Sequence, residues 1–99
     1  MFNYAGWIVE AQAGREKGKL FYVVGVEAQT QRLLLADGKG RKVQRPKAKK
    51  LGHVRPLTDH QREFPHPVTQ KLQRGETVFD RELRRALGAF KEEMRLGKR

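Results

Sequence analysis

Apolar residues in the first part of the chain come in short runs that polar, glycine-containing segments separate. The first run lies within Gly6–Ala13, the second spans Leu20–Val26 and the third spans Arg32–Ala36. Short runs rich in β-branched and aromatic residues, bounded by glycine and charged residues, are typical of strands. The pattern therefore predicts three strands, and Gly25 inside the second predicts a bulge or a sharp bend.

The segment after the third run predicts two further strands. Asp37-Gly38 is a strong hairpin signal, because a type I′ turn needs positive φ at both central residues. A fourth strand is then predicted over Gly40–Gln44, ended by Pro46, since proline cannot donate to a ladder. A fifth is predicted around Leu51–Val54. Strands this close together leave no room for parallel crossovers, so we expect a small antiparallel barrel or sandwich.

Helical spacing replaces the strand pattern in the C-terminal part. We expect one short helix near 68–74 and the main helix near 80–96. The main helix carries one apolar stripe, with spacings of four, three and four, formed by Leu83, Leu87, Phe90 and Met94. A helix of this length is marginal alone in water, so it either packs on the β domain or self-associates. We therefore divide the chain into a β domain, 1–57, and a linker with a helical tail, 58–99.

Charge changes this picture by pointing to a partner. The 99 residues carry a formal net charge of +11, which favours a polyanion such as nucleic acid. Residues 37–57 contain 8 basic and 1 acidic residue. A local basic strip of this kind indicates nucleic-acid binding better than a diffuse excess does. The alternative is a solvated loop that keeps the protein soluble.

Two basic segments supply the candidate binding residues. Gly14 and Gly18 frame a polar turn, and glycine allows a backbone to approach a phosphate closely. The cations of that turn are Arg15, Lys17 and Lys19, while Glu16 weakens it as an anion site. An ordinary hairpin turn is the alternative. The second segment, the basic strip, consists of Lys39, Arg41, Lys42, Arg45, Lys47, Lys49 and Lys50.

The predicted fourth strand limits which of these cations can reach one ligand. Successive side chains of a strand point to opposite faces, so Lys39 and Arg41 share one face and Lys42 lies on the other. Lys42 could instead protect an exposed sheet edge from pairing with another chain. The cations after Pro46 lie in a predicted loop and are less restricted.

Aromatic residues add a possible contact with unpaired bases. Tyr4 and Tyr22 are the candidates for base stacking. Tyr22 alternates with Phe21 and Val23, so we expect it to face solvent. Trp7 is expected in the core of a domain this small.

Several function classes find no support in the sequence. The chain has no cysteine, which excludes disulfides and thiolate metal sites. The three histidines lack the spacing of a metal site, and no catalytic signature is present, so we expect no metal, no cofactor and no enzymatic activity. No stretch approaches the roughly 20 apolar residues of a membrane span. The start, MFNY, lacks the features of a signal peptide, and we expect a cytoplasmic protein without a membrane partner.

Several segments resemble the KOW motif, which is a strand, a basic loop with glycine and a second strand. They are GWIV at 6–9, GREKGK at 14–19 and the apolar run that ends at Val26. The resemblance continues through LADG at 35–38 and KVQRP at 42–46 to KKLGHV at 49–54. It covers about residues 4–57 and leaves the C-terminal 42 residues, 58–99, outside.

The resemblance implies a mainly β fold, a small SH3-like barrel of the KOW type, followed here by a C-terminal α-helical extension. The chain is similar in this respect to the SH3-like-barrel proteins of archaeal and eukaryotic large ribosomal subunits. It implies RNA binding without catalysis, with ribosomal RNA and ribosomal proteins as partners. SH3-like folds also serve as protein-interaction adaptors, and KOW domains occur in transcription factors, so both remain alternatives.

Overall fold

A five-stranded antiparallel sheet and two C-terminal helices form the protein. The computed structural model describes residues 4–99. Met1, Phe2 and Asn3, which belong to the segment MFNY that was predicted not to be a signal peptide, lie outside the described residues. The elements are β1 Ile8–Ala11, β2 Leu20–Val26, β3 Leu33–Ala36, β4 Lys47–Lys49, β5 Val54–Pro56, α1 Pro67–Gln73 and α2 Asp80–Arg95, with a 3₁₀ turn at Leu51–His53. The strand order across the sheet is β4-β3-β2-β1-β5.

The predicted fourth strand is wrong in position. Residues 40–44 belong to a loop, and the strand follows Pro46 at Lys47–Lys49. The Asp37 carboxylate accepts the backbone N–H groups of Lys39 and Arg41, both at 2.9 Å. This side chain closes a turn wider than the predicted two-residue hairpin, and the fourth strand starts later. The predicted fifth strand is also displaced, from 51–54 to Val54–Pro56.

Gly25 marks a β-bulge, as predicted. Val23 pairs with Leu35 and Gly25 pairs with Leu34, so Val24 is an extra residue on β2. The extra residue shifts the alternation of side chains by one position. Val23 and Val26 therefore contact the same apolar cluster although they lie three residues apart.

The sheet is apolar on both faces. On one face, Ile8, Tyr22 and Ala36 pack against the two helices in what we call the helix-side core. The other face carries a second cluster, the sheet-side core, formed by Trp7, Val9, Ala11, Phe21, Val23, Leu33, Leu35 and Val54. Trp7 is buried in it, as predicted.

No helix residue belongs to the sheet-side core among the residues described. Because this cluster is nevertheless buried, the strands and loops must curl over it. The edge strands β4 and β5 each pair with one neighbour, and no ladder joins them within residues 4–99. The sheet is therefore open, and the structure confirms the coarser prediction of a β-rich domain with C-terminal helices.

Helix α2 packs on the sheet, which is the first of its two predicted alternatives. Leu83, Leu87 and Phe90 of its stripe are buried in the helix-side core, while Met94 at the helix end is exposed. The stripe is thus occupied within the chain, which removes the surface proposed for self-association. Neither helix is long and apolar enough to cross a bilayer in the described part of the chain.

Candidate nucleic-acid interface

The β1–β2 loop, residues 12–19, depends on its two glycines. Gly14 has φ +80° and Gly18 has φ +89°, a left-handed conformation that glycine adopts without steric cost. The turn is closed where the Gly18 N–H donates to the Ala11 carbonyl at 2.8 Å. Its cations are all exposed, and none has an ion pair or side-chain hydrogen bond within residues 4–99: Arg15, Lys17 and Lys19.

The β3–β4 loop, residues 37–46, is held on the N-terminus of α2. The Val43 N–H donates to the Asp80 carboxylate at 2.7 Å, and Arg84 Nη1 donates to the Gly38 carbonyl at 2.6 Å. Gly38 lies so close to the helix that a Cβ built there would clash with the Asp80 carbonyl oxygen. The helix therefore fixes the backbone that carries the first part of the basic strip.

The two basic segments meet at two contacts. Arg41 binds the Glu16 carboxylate through Nη2 to Oε1 at 2.8 Å and Nε to Oε2 at 3.0 Å. Lys49 Nζ donates to the Ala13 carbonyl at 2.6 Å. The first contact joins the β1–β2 loop to the β3–β4 loop, and the second joins it to β4. The structure thus brings together segments that the sequence separates by more than twenty residues.

The electrostatics at this junction favour the charged form of Glu16. Hydrogen bonds from Arg41 lower the pKa of Glu16 below its ordinary value, and the charges of Arg41, Lys19 and Lys49 act in the same direction. Partial burial opposes them. Glu16, which was predicted to weaken the loop, thus has a structural partner, and Arg41 has a local counter-charge.

Beside the junction lies a surface that we call the cationic shelf, a shallow groove of about 240 Å³. Its lining residues are Arg32, Lys47, Ala48, Lys49, Lys50 and His53, with no carboxylate in the described part of the chain. Lys47 and Lys49 share one face of β4 because they lie two residues apart. The shelf therefore gathers three residues of the predicted strip.

Arg32 is a member of the shelf that the sequence reasoning missed. It directly precedes β3, and its neighbour Leu33 pairs with Lys49. Only the register of β4 places it there, and a fourth strand predicted over 40–44 does not contain that register.

Other predicted cations lie away from the shelf lining. Lys42 and Arg45 are exposed in the β3–β4 loop, where no strand edge exists for Lys42 to protect. Lys39 is exposed in the same loop. The structure leaves these three accessible, and their contact with RNA stays a prediction.

Tyr22 cannot stack on a base, and that prediction is wrong. Its ring is fully buried, because helix α1 covers the sheet face that was expected to meet solvent. Its hydroxyl is 2.9 Å from Thr69 Oγ1, and burial raises the pKa of Tyr22 to about 12. Tyr4 is half-buried and packs edge to face on Trp7 at a ring-centroid distance of 4.7 Å, so its contact with bases stays a prediction.

Residues 4–99 contain no group of three or more histidine, cysteine or acidic side chains placed to hold a metal ion. His66 has a structural contact instead, since its Nδ1 accepts the Val68 N–H at 3.1 Å and caps α1.

Comparison with known proteins adds no family. No protein-family model matches the chain, and no curated protein is significantly similar to it. The resemblance to KOW proteins therefore rests on sequence segments within residues 4–57 alone.

Proposed function

We propose that this protein binds RNA without catalysing a reaction, through the β1–β2 loop and the cationic shelf. The observation that carries the proposal is the Lys49–Ala13 hydrogen bond of 2.6 Å, which joins the two basic segments predicted to contact phosphates. In this proposal the protein associates with the ribosome, as the KOW resemblance implies, and therefore acts in the cytoplasm.

The distribution of carboxylates supports a polyanion at this surface. Outside it, several cations form ion pairs with carboxylates, as in Glu10–Arg55, Glu82–Lys71 and Glu92–Arg95. At the β1–β2 loop and the shelf, Glu16 is the one carboxylate that forms an ion pair among the described residues. The β1–β2 loop and the shelf thus carry a net positive charge, which attracts an anionic partner.

An SH3-like barrel is the fold that we propose for the sheet. The buried sheet-side core, with no helix over it, supports strong curling of the strands, and the consecutive antiparallel pairing of β1 to β4 is compatible with a small barrel. Nuclear Overhauser contacts between β4 and β5 would support closure. Their absence from a well-assigned spectrum would favour an open curled sheet.

Phosphate contact, rather than reading of bases, is the expected mode. Among residues 4–99, no phenylalanine, tyrosine or tryptophan on which a base could stack lines the cationic shelf. We therefore expect tolerance of RNA sequence and strong dependence on salt, with a log–log slope of roughly −0.7 to −0.9 per phosphate neutralised. Equal affinity at low and moderate salt would contradict this mechanism.

A charge-reversal experiment tests the surface directly. We choose Lys17, Lys47 and Lys50, because they are exposed and have no described hydrogen bond or ion pair through their side chains, whereas Lys49 holds the loop. Changing all three to Glu should lower the affinity for a short labelled RNA by about thirtyfold or more, and flatten the salt slope. Fluorescence anisotropy measures both.

The matched control reverses three exposed cations outside this surface, Arg62, Arg81 and Arg85. Both triple variants change the net charge equally, so a general electrostatic effect would weaken them alike. We expect the control to retain affinity within about threefold. Equal losses in the two variants would show that diffuse charge, and not the proposed surface, binds RNA. A labelled DNA of the same sequence shows whether the surface prefers RNA.

Ribosome association needs its own test. Sedimentation of a cell extract at two salt concentrations should show the protein with the large subunit at low salt. Persistence at high salt would indicate an integral component, and release would indicate a peripheral one. Sedimentation only at the top of both gradients would contradict this part of the proposal.

A protein-interaction adaptor is the second candidate, and one apolar surface favours it. Phe79 is 66% exposed and borders a groove of about 390 Å³ that also includes Leu34, Val43 and Pro46. Exposed apolar patches frequently mark protein interfaces. If Phe79→Ser abolished a nuclease-resistant pull-down of a defined partner but left RNA affinity intact, the adaptor function would be supported.

A further inference from the structure

A larger groove lies where the two loops approach α2. This helix groove has a volume of about 560 Å³. Four cationic side chains line it, and they come from three places in the chain: Lys19 from the β1–β2 loop, Lys39 and Arg41 from the β3–β4 loop, and Lys91 from α2. The groove thus combines residues of the KOW-like part with a residue of the helical extension.

The carboxylates that line the helix groove already have partners. Glu16 binds Arg41, and Asp37 accepts two backbone N–H groups of its own turn. Lys19, Lys39 and Lys91 have no ion pair or side-chain hydrogen bond among the residues described, and all three are exposed. Three ammonium groups around one groove repel one another, and a bound anion relieves that repulsion.

The helix holds Lys91 on the side that faces the loops. Arg84 donates to the Gly38 carbonyl from α2 at 2.6 Å, which shows that this face of the helix meets the β3–β4 loop. Lys91 follows Arg84 by seven residues, close to two helical turns, so the two side chains project from the same face. The position of Lys91 at the groove is therefore set by the packing of α2.

The remaining lining residues favour a phosphate over a base. Leu20 is the one large apolar side chain among the groove residues that the structure describes, and the glycines Gly18 and Gly40 expose backbone. No aromatic ring from the described part of the chain lines the groove, whereas proteins commonly hold unpaired bases by stacking them on aromatic side chains. Charge without a stacking surface is suited to a phosphodiester backbone.

We propose that the helix groove binds the phosphate backbone of the same RNA, and that Lys91 of α2 supplies one of the contacts. The inference rests on the proposed function and extends it, because it assigns RNA contact to the C-terminal helix, which the KOW resemblance does not cover. In this proposal the bound RNA strand continues from the cationic shelf across the β1–β2 loop to the helix groove.

The test compares Lys91→Glu with Arg85→Glu, which makes the same charge change on an exposed position of the same helix outside the groove. Lys91→Glu should lower RNA affinity about fivefold or more and reduce the magnitude of the salt slope by about 0.7, the value of one lost phosphate contact. Arg85→Glu should leave the slope unchanged. Thermal unfolding checks that both variants fold like the wild type.

The outcomes separate this inference from the proposed function. If the wild type binds RNA and the loop-and-shelf triple variant loses it, but the two helix variants behave alike, then only the helix groove is excluded. If the wild type binds no RNA, both proposals fail.

Competition experiments distinguish the binding of an RNA strand from the binding of a small anion. Inorganic phosphate and ATP should displace RNA no better than sodium chloride at equal ionic strength. A stronger displacement that Lys91→Glu abolishes would make the groove a site for free phosphate or nucleotide, and would overturn the assignment to the RNA backbone.

Discussion

Arg41 holds the carboxylate of Glu16 through both Nε and Nη2, with contacts of 3.0 and 2.8 Å. The planar guanidinium binds a carboxylate and a phosphate with the same two-pronged geometry. Glu16 therefore occupies Arg41 in the way that an RNA phosphate would. The junction that assembles the basic surface also neutralises one of its cations.

Removal of the Glu16 charge should strengthen RNA binding. Glu16→Gln keeps the size of the side chain and an oxygen acceptor, but it removes the negative charge that competes with phosphate for Arg41. We expect RNA affinity to rise about two- to fivefold and the salt slope to become steeper, because one more cation can meet a phosphate. Fluorescence anisotropy over a salt series measures both.

Glu63→Gln is the matched control, since Glu63 is exposed and forms no ion pair in the described part of the chain. It makes the same charge change and should leave affinity close to that of the wild type. A lower affinity for Glu16→Gln than for this control would show that the Glu16–Arg41 pair acts mainly as a clamp on the two loops.

Tyr22 should make stability fall at alkaline pH. Its pKa is raised to about 12 by burial, compared with about 10 in the unfolded chain. The folded state therefore favours the neutral phenol. The resulting contribution of Tyr22 to the free energy of unfolding is complete below pH 10 and is lost as the pH rises towards 12. Chemical denaturation at a series of pH values should show this fall, and Tyr22→Phe should show a smaller one.

The same variant also tests the Tyr22–Thr69 hydrogen bond. At neutral pH, Tyr22→Phe should lower the free energy of unfolding by about 1 to 2 kcal/mol, because it removes a buried hydrogen bond and leaves Thr69 without that partner. Thr69→Val, which removes the other hydroxyl, should give a similar loss. A stability equal to that of the wild type in both variants would contradict the contact.

Gly38 should tolerate no side chain. Its φ is +77°, and an added Cβ would meet the backbone of Asp80, so the loop or the helix would have to move. We expect Gly38→Ala to lower the free energy of unfolding by about 2 kcal/mol or more. Thermal or chemical unfolding measures the loss.

Gly40→Ala is the control for that experiment, because Gly40 lies in the same loop and has open space around its Cβ position. Its stability should stay within about 0.5 kcal/mol of the wild type. Similar losses in the two variants would mean that the contact between the loop and α2 does not contribute.

The elements that local sequence determines were predicted closely. β2 has the predicted bounds, Leu20–Val26, and both helices lie within two residues of theirs. Alternation and helical periodicity are local properties of the chain. The bulge at Gly25 was also predictable, because it follows from the residue type at one position.

The fourth strand could not be placed from sequence, because a distant residue competes for its backbone. Asp80 accepts the Val43 N–H from 37 positions further along the chain, which draws residues 40–44 into a loop. The prediction that Tyr22 faces solvent was wrong for a related reason. Its alternation with Phe21 was correct, but whether the second face of a sheet meets solvent depends on the helices that pack there.

Residue types and their local order are enough to predict the three central strands, the two helices, and the concentration of positive charge between residues 37 and 57. These features depend on residue types and their local spacing. The folding of the whole domain, in contrast, is needed for Arg41 to face Glu16, for Lys49 to reach Ala13 and for Lys91 to line a groove with Lys19. Each of these relationships joins distant segments, and their proximity follows from strand register and helix packing, which act over the whole domain.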